Sequence, residues 1–451
     1  MSKKTINQEL HTVIIENFSH DGRGIARING KTTFIQQALP GEEVVFRYLR
    51  IKKSYDDAEV VEVLQKSLQR VEPLCKHYQI CGGCNLQHVS AAEQIHIKQE
   101  LVLDLLLRIG HVTPQQSLSP IILDDTWHYR TKARLSVRYV VKKQSTLVGF
   151  RERNHPGYIA EINSCVILDA IVGEKIDQLR SLLDTFESGP VIAQIEIAIG
   201  DNGVALIFRN LAELTAADQV KLCKFVDDNS AVKQFYVYLQ PNGIKSVTLL
   251  YPLQEHLYLQ YKLIDFNLIL RFQPTDFTQI NRNINQLMLK QAIELLALQT
   301  TDVVLDLFCG IGNFSLPIAQ FCNTVIGIED NVDMVARATM NAQYNHINNV
   351  KFYDLNLNLD TAVTCLLEII NDLSVNKMLL DPPRTGALAI VQQIEKLSPK
   401  MIVYVSCNPA TLARDTNILV NSKGYCLKSV GVMDMFPHTE HVEVMALFEQ
   451  L

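Results

Sequence analysis

Short apolar runs alternate with polar turns through the first sixty or so residues. The runs are Thr12–Phe18, Gly24–Ile28, Thr32–Ile35, Glu43–Ile51 and Glu59–Leu64. Each is β-prone and bounded by glycine or turn residues, and Asn29-Gly30 is a two-residue hairpin signal. So many short strands in so little chain predict a small barrel of the oligonucleotide-binding type. A helical pattern then runs from Ala91 to Ile109 and stops at Gly110. Between Trp127 and about residue 272 the periodicity is mixed. It predicts strands at Ala133–Val141, Ile195–Ile199, Gly203–Phe208, Gln234–Leu239 and Leu257–Tyr261, with helices near 168–187 and 214–228. From about residue 283 the pattern becomes regular. The runs VVLDLF, TVIGIE, VKFYD, KMLLD and MIVYVS are each followed by an amphipathic segment of helix length. That is the period of βα units in a doubly wound parallel sheet. Ligands of such sheets bind beyond the carboxyl ends of the strands. The residues there are Asp306–Phe314, Glu329, Asn356, Asp381–Arg384 and Ser406-Cys407.

A length of 451 residues suggests about three domains. The pattern divides them at 1–66, 67–272 and 273–451: a multidomain α/β chain with an N-terminal barrel, a central α+β domain and a Rossmann-like C-terminal domain. Apolar residues at 47% and charged residues at 20% exclude disordered, collagenous and fibrous classes. No apolar stretch follows the lysines of MSKKTINQELHT, and no apolar run approaches the roughly 18 residues of a membrane span. A cytoplasmic protein without membrane contact is expected. Ten cysteines are too sparse for a disulfide scaffold, so metal binding or catalysis is the better expectation for them. The net charge is −6, yet Trp127–Arg153 carries eight Lys/Arg against the single acid Glu152. Arg130, Lys132, Arg134 and Arg138 are all even-numbered and would share one face of a regular strand. Charge alone leaves two readings open, a footprint for nucleic-acid phosphates and a solvated strand pair.

The candidate chemistry lies at the strand ends. Asp306-Leu-Phe-Cys-Gly-Ile-Gly-Asn-Phe314 is a glycine-containing turn, and Glu329 ends the next strand, where a carboxylate can bond ribose hydroxyls. Nicotinamide and S-adenosylmethionine enzymes share this arrangement. Asp381-Pro-Pro-Arg384 is a rigid loop poor in backbone donors. Cys407 sits between a strand and a helix whose N-terminus can lower a thiol pKa, the setting of a nucleophile. Cys309, inside the glycine turn, reads as structural, and Cys223, Cys322, Cys365 and Cys426 read as core thiols. Asp434-Met-Phe-Pro-His-Thr-Glu-His-Val-Glu443 clusters acids and two histidines, and offers a general base from Glu443 or a histidine. Cys75-x5-Cys81-x2-Cys84 with the distant Cys165 offers four thiolates, which suit zinc or a [4Fe–4S] cluster. The crowded-then-distant spacing leans towards iron–sulfur.

Together these segments resemble the RNA (uracil-5-)-methyltransferase family over essentially the whole chain. The likeness rests on the N-terminal barrel (a TRAM domain in that family), CKHYQICGGC with Cys165, FQPTDFTQIN, DLFCGIGNFS, DPPR, SCNPATLARD and DMFPHTEHVE in that order. It is strongest to the branch acting on uracil 1939 of 23S ribosomal RNA. The resemblance implies a [4Fe–4S] cluster on Cys75, Cys81, Cys84 and Cys165. It implies S-adenosylmethionine contacts from Gln279, Phe308, Asn313, Glu329, Asn356 and Asp381, Cys407 as nucleophile and Glu443 as general base. A monomer with no protein partner is expected. A radical S-adenosylmethionine enzyme would need CxxxCxxC, a spacing this loop lacks, and a bare RNA-binding protein would leave the strand-end residues unexplained.

Overall fold

The computed structural model describes residues 9–19, 21–254, 257–371 and 373–451. The first sheet has strands β1 (His11–Ile14), β2 (Asn17–Phe18), β3 (Arg23–Ile28), β4 (Lys31–Gln36), β5 (Glu43–Ile51) and β6 (Tyr55–Gln65), in the order β1-β5-β6-β4-β3-β2. Only Ile15 and Glu16 separate β1 from β2, yet they pair with opposite edges, β5 and β3, so the sheet closes on itself. Ile15, Ala26, Ile35, Val44, Phe46 and Ala58 fill the interior. The strand expected at Thr12–Phe18 is therefore two, broken where the chain changes partner. Asn29 and Gly30 take φ of 51° and 79°, the positive values that a primed hairpin turn demands. Arg70, beyond the barrel, closes on the wholly buried Glu42 at 2.5 Å.

Helix α1 (Ala91–Leu105) is capped by the Ser90 hydroxyl, which accepts from the Glu93 N–H, and it ends in a π-turn at Leu106–Gly110. After the two-residue β7 (Gln116–Ser117) comes a second sheet. Its elements are β8 (Lys132–Val140), β9 (Ser145–Gly149), α2 (Ala170–Gly173), α3 (Ile176–Asp184), β10 (Ile192–Ile199), β11 (Val204–Asn210), α4 (Ala216–Asn229), β12 (Phe235–Leu239) and β13 (Thr248–Tyr251). The strand order is β13-β12-β11-β10-β8-β9. Leu179 and Leu183 of α3 and Leu222 and Val226 of α4 cover one face, against Leu135, Ile195 and Phe235. A hairpin of β14 (Leu259–Leu263) and β15 (Leu268–Phe272) packs instead with the C-terminal core.

That core surrounds α5 (Arg282–Leu296), β16 (Val303–Leu307), α6 (Ser315–Ala319), β17 (Thr324–Glu329), α7 (Val332–Tyr344), β18 (Val350–Asp354), α8 (Ala362–Ile370), β19 (Lys377–Leu380), α9 (Leu388–Val391), β20 (Met401–Ser406), α10 (Pro409–Ser422), β21 (Tyr425–Met433) and β22 (Glu443–Gln450). The strand order is β18-β17-β16-β19-β20-β22-β21-β7. Strands β16 to β20 run parallel as the apolar runs predict, and β22 enters antiparallel between β20 and β21. Alternate residues serve opposite faces. Leu305, Ile326, Met378 and Ile402 meet α8, α10 and Ile95 and Val102 of α1, whereas Val304, Val325, Leu379 and Val403 meet α5, α6 and the hairpin. The chain leaves β16 outward through β17 and β18, then returns to lay β19 on the other side, so the switch point falls between β16 and β19. Among the described residues no helix is long and apolar enough to cross a membrane.

Candidate active site

The turn after β16 is shaped by positive φ at Phe308 (65°), Gly310 (57°) and Gly312 (90°). The conformation is uncommon for an aromatic residue and marks a turn held by its surroundings. It folds over Glu329 at the end of β17. The Gly310 N–H donates to Glu329 Oε2 at 3.1 Å and the Asn331 N–H to Oε1 at 3.2 Å. Burial raises Glu329 to about 7. Asp306 lies wholly buried below, accepts from the Ser315 hydroxyl, and is also raised to about 7 by burial and by Asp381 and Glu329. Asp381, just past β19, reaches about 7 through burial and Glu329. Three carboxylates thus converge at the switch point, a set of acceptors suited to a cation that also carries hydroxyls. Asn313 forms a reciprocal amide pair with Asn285 at 2.9 and 3.0 Å and accepts from the Tyr261 hydroxyl at 3.0 Å. The exposed Asn356 accepts from the Asn358 N–H at 2.9 Å. Gln279 lies half-buried two residues before Asn281, whose side chain caps α5.

Ser406, the last residue of β20, faces Val444 in register, so Cys407 and Glu443 emerge side by side from adjacent strands. Burial, Glu443 and Asp381 raise the Cys407 thiol to about 11, with Arg384 opposing. The sequence suggested a thiol lowered by the helix N-terminus. Burial between two carboxylates outweighs that dipole. Glu443 is itself buried and held well above the usual carboxylate range by desolvation and Asp381, again opposed by Arg384. The Arg384 carbonyl accepts from Asn408 Nδ2 at 2.8 Å and the Thr411 hydroxyl at 3.3 Å, both on residues just after Cys407. Buried Asp415 completes the clamp, accepting from the Tyr404 hydroxyl at 2.7 Å, the Ala387 N–H at 2.9 Å and Arg414. Gly386 (φ 78°) lies so close that a Cβ there would stand 2.5 Å from the Arg414 guanidinium. The sequence reading passed over Asp415, although it closes SCNPATLARD.

The segment Asp434–His441 is pinned on several sides. His438 stacks on Trp127 with ring centroids 3.8 Å apart, and its Nε2 meets the Thr126 hydroxyl at 3.0 Å. Burial lowers it to about 4, so it is a neutral packing group. Asp434 pairs with Lys98 of α1 at 2.8 Å, both wholly buried. Of the groups this segment offered as a base, Glu443 is the one beside Cys407.

A family model described as tRNA (Uracil-5-)-methyltransferase matches residues 242–451, and one for the TRAM domain matches residues 4–61. A 23S rRNA (uracil(1939)-C(5))-methyltransferase of Legionella pneumophila is 56% identical over 99% of both chains. The chain belongs to the RNA (uracil-5-)-methyltransferase family. The enzyme of the same description from Francisella tularensis is 48% identical, over 97% of this chain and 96% of its own. The fold is shared with Pyrococcus abyssi tRNA (uracil-54, C5)-methyltransferase in complex with S-adenosyl-L-homocysteine. That structure has a TM-score of 0.71 at 21% identity and covers 97% of this chain and 100% of its own.

Away from its strand-end cleft, this methyltransferase gathers Cys75, Cys81, Cys84 and Cys165 around one small cavity, with Phe150 and Ile162. The four form no group compact enough to hold one metal ion, nor do any His, Cys, Asp or Glu among the described residues. Their sulfurs have donors nearby. The Gly83 N–H donates to Cys81 Sγ at 3.4 Å, Gln87 reaches Cys84, and the Ile167 and Leu168 amides reach Cys165. Such donors suit thiolates that carry a metal group. Cys309 and Cys322 are buried, but Cys223, Cys365 and Cys426, expected as core thiols, are only half-buried.

The basic stripe of the methyltransferase is less uniform than its spacing implied. β8 begins only at Lys132, so Arg130 precedes the strand, and its Nε donates to the Lys132 carbonyl at 3.0 Å. Lys132 turns inward to the Asp276 carbonyl and is lowered to about 8 by burial. Arg134 and Arg138 stay exposed, the former paired with Glu196 at 3.1 Å. A cleft of about 1140 Å³ opens between the barrel and the cysteine loop. Arg23, Arg47 and Arg50 line one wall, Arg151 and Arg153 the other, and Asn85 and Glu440 also border it.

Proposed function

We propose that this chain transfers a methyl group from S-adenosylmethionine to C5 of a uracil in 23S ribosomal RNA, at position 1939 as its relatives' names describe. The observation that carries this reading is the register that brings Cys407 and Glu443 out together beside Asp381 and Arg384. S-adenosylmethionine would be held by Gln279, Phe308, Asn313, Glu329, Asn356 and Asp381, and supplies a methyl group on a positively charged sulfur. Cys407 gives up its thiol proton to solvent as its sulfur bonds to C6 of the ring, and the displaced electron pair makes C5 nucleophilic. Once C5 carries the methyl, Glu443 takes the C5 proton, the C6–S bond breaks and the thiolate returns. Arg384 offsets the negative charge on Cys407 and Glu443. The uracil has to be unpaired or flipped out to reach these groups. The cleft between barrel and cysteine loop would hold the flanking RNA.

Cys75, Cys81, Cys84 and Cys165 would hold a [4Fe–4S] cluster with a structural role, since methyl transfer moves no single electron. We also propose the domain division 1–66, 67–272 and 273–451, and a monomer working in the cytoplasm. Purified ribosomal RNA and tRNA offered with labelled cofactor, followed by mapping of the modified base, test the substrate. The label is expected in 23S ribosomal RNA alone, and label confined to tRNA would reject it. Cys407→Ala should form neither adduct nor product. Glu443→Gln should accumulate a methylated covalent protein–RNA complex that survives denaturing electrophoresis. Anaerobic protein should carry about four irons per chain. Stoichiometric zinc without iron would remove the cluster from the scheme.

A further inference from the structure

Asn85 directly follows Cys84, and all of its polar groups are engaged. Its N–H donates to the His438 carbonyl at 3.0 Å, joined there by the Leu86 N–H at 3.0 Å. Its carbonyl accepts from the Tyr78 hydroxyl at 2.7 Å. Its side-chain NH2 donates to the Asp21 carbonyl at 3.0 Å, in the barrel loop before β3. Its side-chain oxygen accepts from the Glu440 N–H at 2.9 Å. One residue therefore bonds the barrel, the cysteine loop and the segment that leads into Glu443. The surroundings reinforce this junction. The Tyr129 hydroxyl donates to the Pro437 carbonyl at 3.0 Å, and Tyr129 packs in the same apolar cluster as Cys84, Tyr78 and Ile167. Gln94 accepts from the His438 N–H at 2.8 Å. The Glu440 N–H lies three residues before Glu443, which opens β22 opposite Met433. Asn85 and Glu440 also border the cleft between barrel and cysteine loop.

We propose that Asn85 is a positioning residue whose side chain has two separable tasks. Its oxygen sets the segment that presents Glu443 to the reacting ring, and its NH2 fixes the barrel against the cleft that holds RNA. This rests on Glu443 being the base. An error of about an ångström in the placement of a reacting group costs up to roughly a hundredfold in rate. The two ends of the amide should therefore fail in different kinetic constants.

The test compares wild type, Asn85→Ala, Asn85→Asp and Glu443→Gln, all purified anaerobically and matched for iron content. Asn85→Ala loses both side-chain bonds. Its kcat should fall about ten- to a hundredfold, with KM for S-adenosylmethionine unchanged and the methylated covalent complex accumulating as in Glu443→Gln. Asn85→Asp keeps the acceptor for Glu440 but sets an oxygen against the Asp21 carbonyl. Its kcat should recover most of the loss without accumulated complex, while KM for RNA rises several-fold. The proposal is overturned if Asn85→Ala keeps kcat within twofold of wild type, or slows without accumulating the complex. It is equally overturned if Asn85→Asp slows as much as Asn85→Ala. If Asn85→Ala does not fold, Asn85→Asp decides alone, and an unchanged RNA KM overturns it. Where Glu443→Gln stalls as the methylated complex and Asn85→Ala does not, Asn85 alone is misassigned. Where Glu443→Gln turns over normally, the base assignment falls and takes this inference with it.

Discussion

Asp306, Glu329 and Asp381 are each pushed up to about 7, from ordinary values of 3.8 for Asp and 4.5 for Glu. Burial favours the protonated forms, helped by Asp381 and Glu329 at Asp306, by Glu329 at Asp381 and by Asp330 at Glu329. A cation bound among them favours the ionised forms, so binding S-adenosylmethionine should release protons near neutrality. Its dissociation constant should accordingly rise several-fold as pH falls from 8 to 6, and Glu329→Gln should flatten that dependence. Titration calorimetry in buffers of different ionisation enthalpy checks both points, and an affinity flat across this range would separate these carboxylates from the cofactor. The sign for stability is opposite. The folded state keeps protons that the unfolded chain gives up, so this contribution is complete below about 4 and is lost as pH rises through about 7. At this scale the sequence was only partly legible. Cys407 and Glu443 stand out because their motifs are distinctive, and the ends of apolar runs locate them. The direction of the thiol's shift was not legible, because it depends on burial and on Glu443 and Asp381, which other elements bring to the thiol. The stacking of His438 on Trp127 was hidden for the same reason.

Among elements, those with a strong period were readable and those with quiet turns were not. The five parallel strands appeared as apolar runs because both their faces are covered. β15 went unread because no glycine marks its hairpin. Asn267 supplies the left-handed residue instead, at φ 53°. β21 was missed because Ser429 and Gly431 interrupt its apolar pattern. β8 shows how far alternation can be trusted. Even positions do share a face, but that face curls inward at Lys132, whose ammonium is committed to the Asp276 carbonyl. Arg134→Ala and Arg138→Ala should each flatten the salt dependence of RNA binding by about one unit of slope if the residue meets a phosphate. Lys132→Ala should leave that slope unchanged and lower the melting temperature. Filter binding across a salt series, set beside thermal denaturation, separates the two effects. A slope altered only in Lys132→Ala would reverse the assignment.

For the whole molecule, the main surprise is how far the C-terminal sheet depends on chain that precedes it. Ile95 and Val102 of α1 belong to the core on one of its faces, the β14–β15 hairpin to the core on the other, and β7 covers the β21 edge. Lys98 neutralises the wholly buried Asp434. The barrel, by contrast, has its own core. Two truncations should therefore behave differently. A chain lacking 1–66 should unfold cooperatively and bind S-adenosylmethionine while losing RNA affinity. A fragment 273–451 should be insoluble or show no cooperative transition, because it exposes a strand edge and leaves a buried carboxylate unpaired. Circular dichroism melts of both truncated chains check this. A stable 273–451 fragment would show that these contacts are dispensable. Such dependence was invisible to periodicity, which reports on an element's own face and not on which distant element covers it.

The place of β22 in the sheet has a consequence for the order in which the protein becomes an enzyme. It follows β21 in sequence but sits between β20 and β21, with Glu443 at its first position. During synthesis from the N-terminus, β16 to β20 can pair and the glycine turn can close while β22 is still missing. Such a nascent chain already holds Cys407 and Asp381, yet its sheet stops at an open β20 edge and it lacks Glu443, the base proposed above. On that proposal, a chain that bound RNA at this stage would form an adduct it could not resolve. With Glu443 as the base proposed above, turnover waits until β22 has paired between β20 and β21.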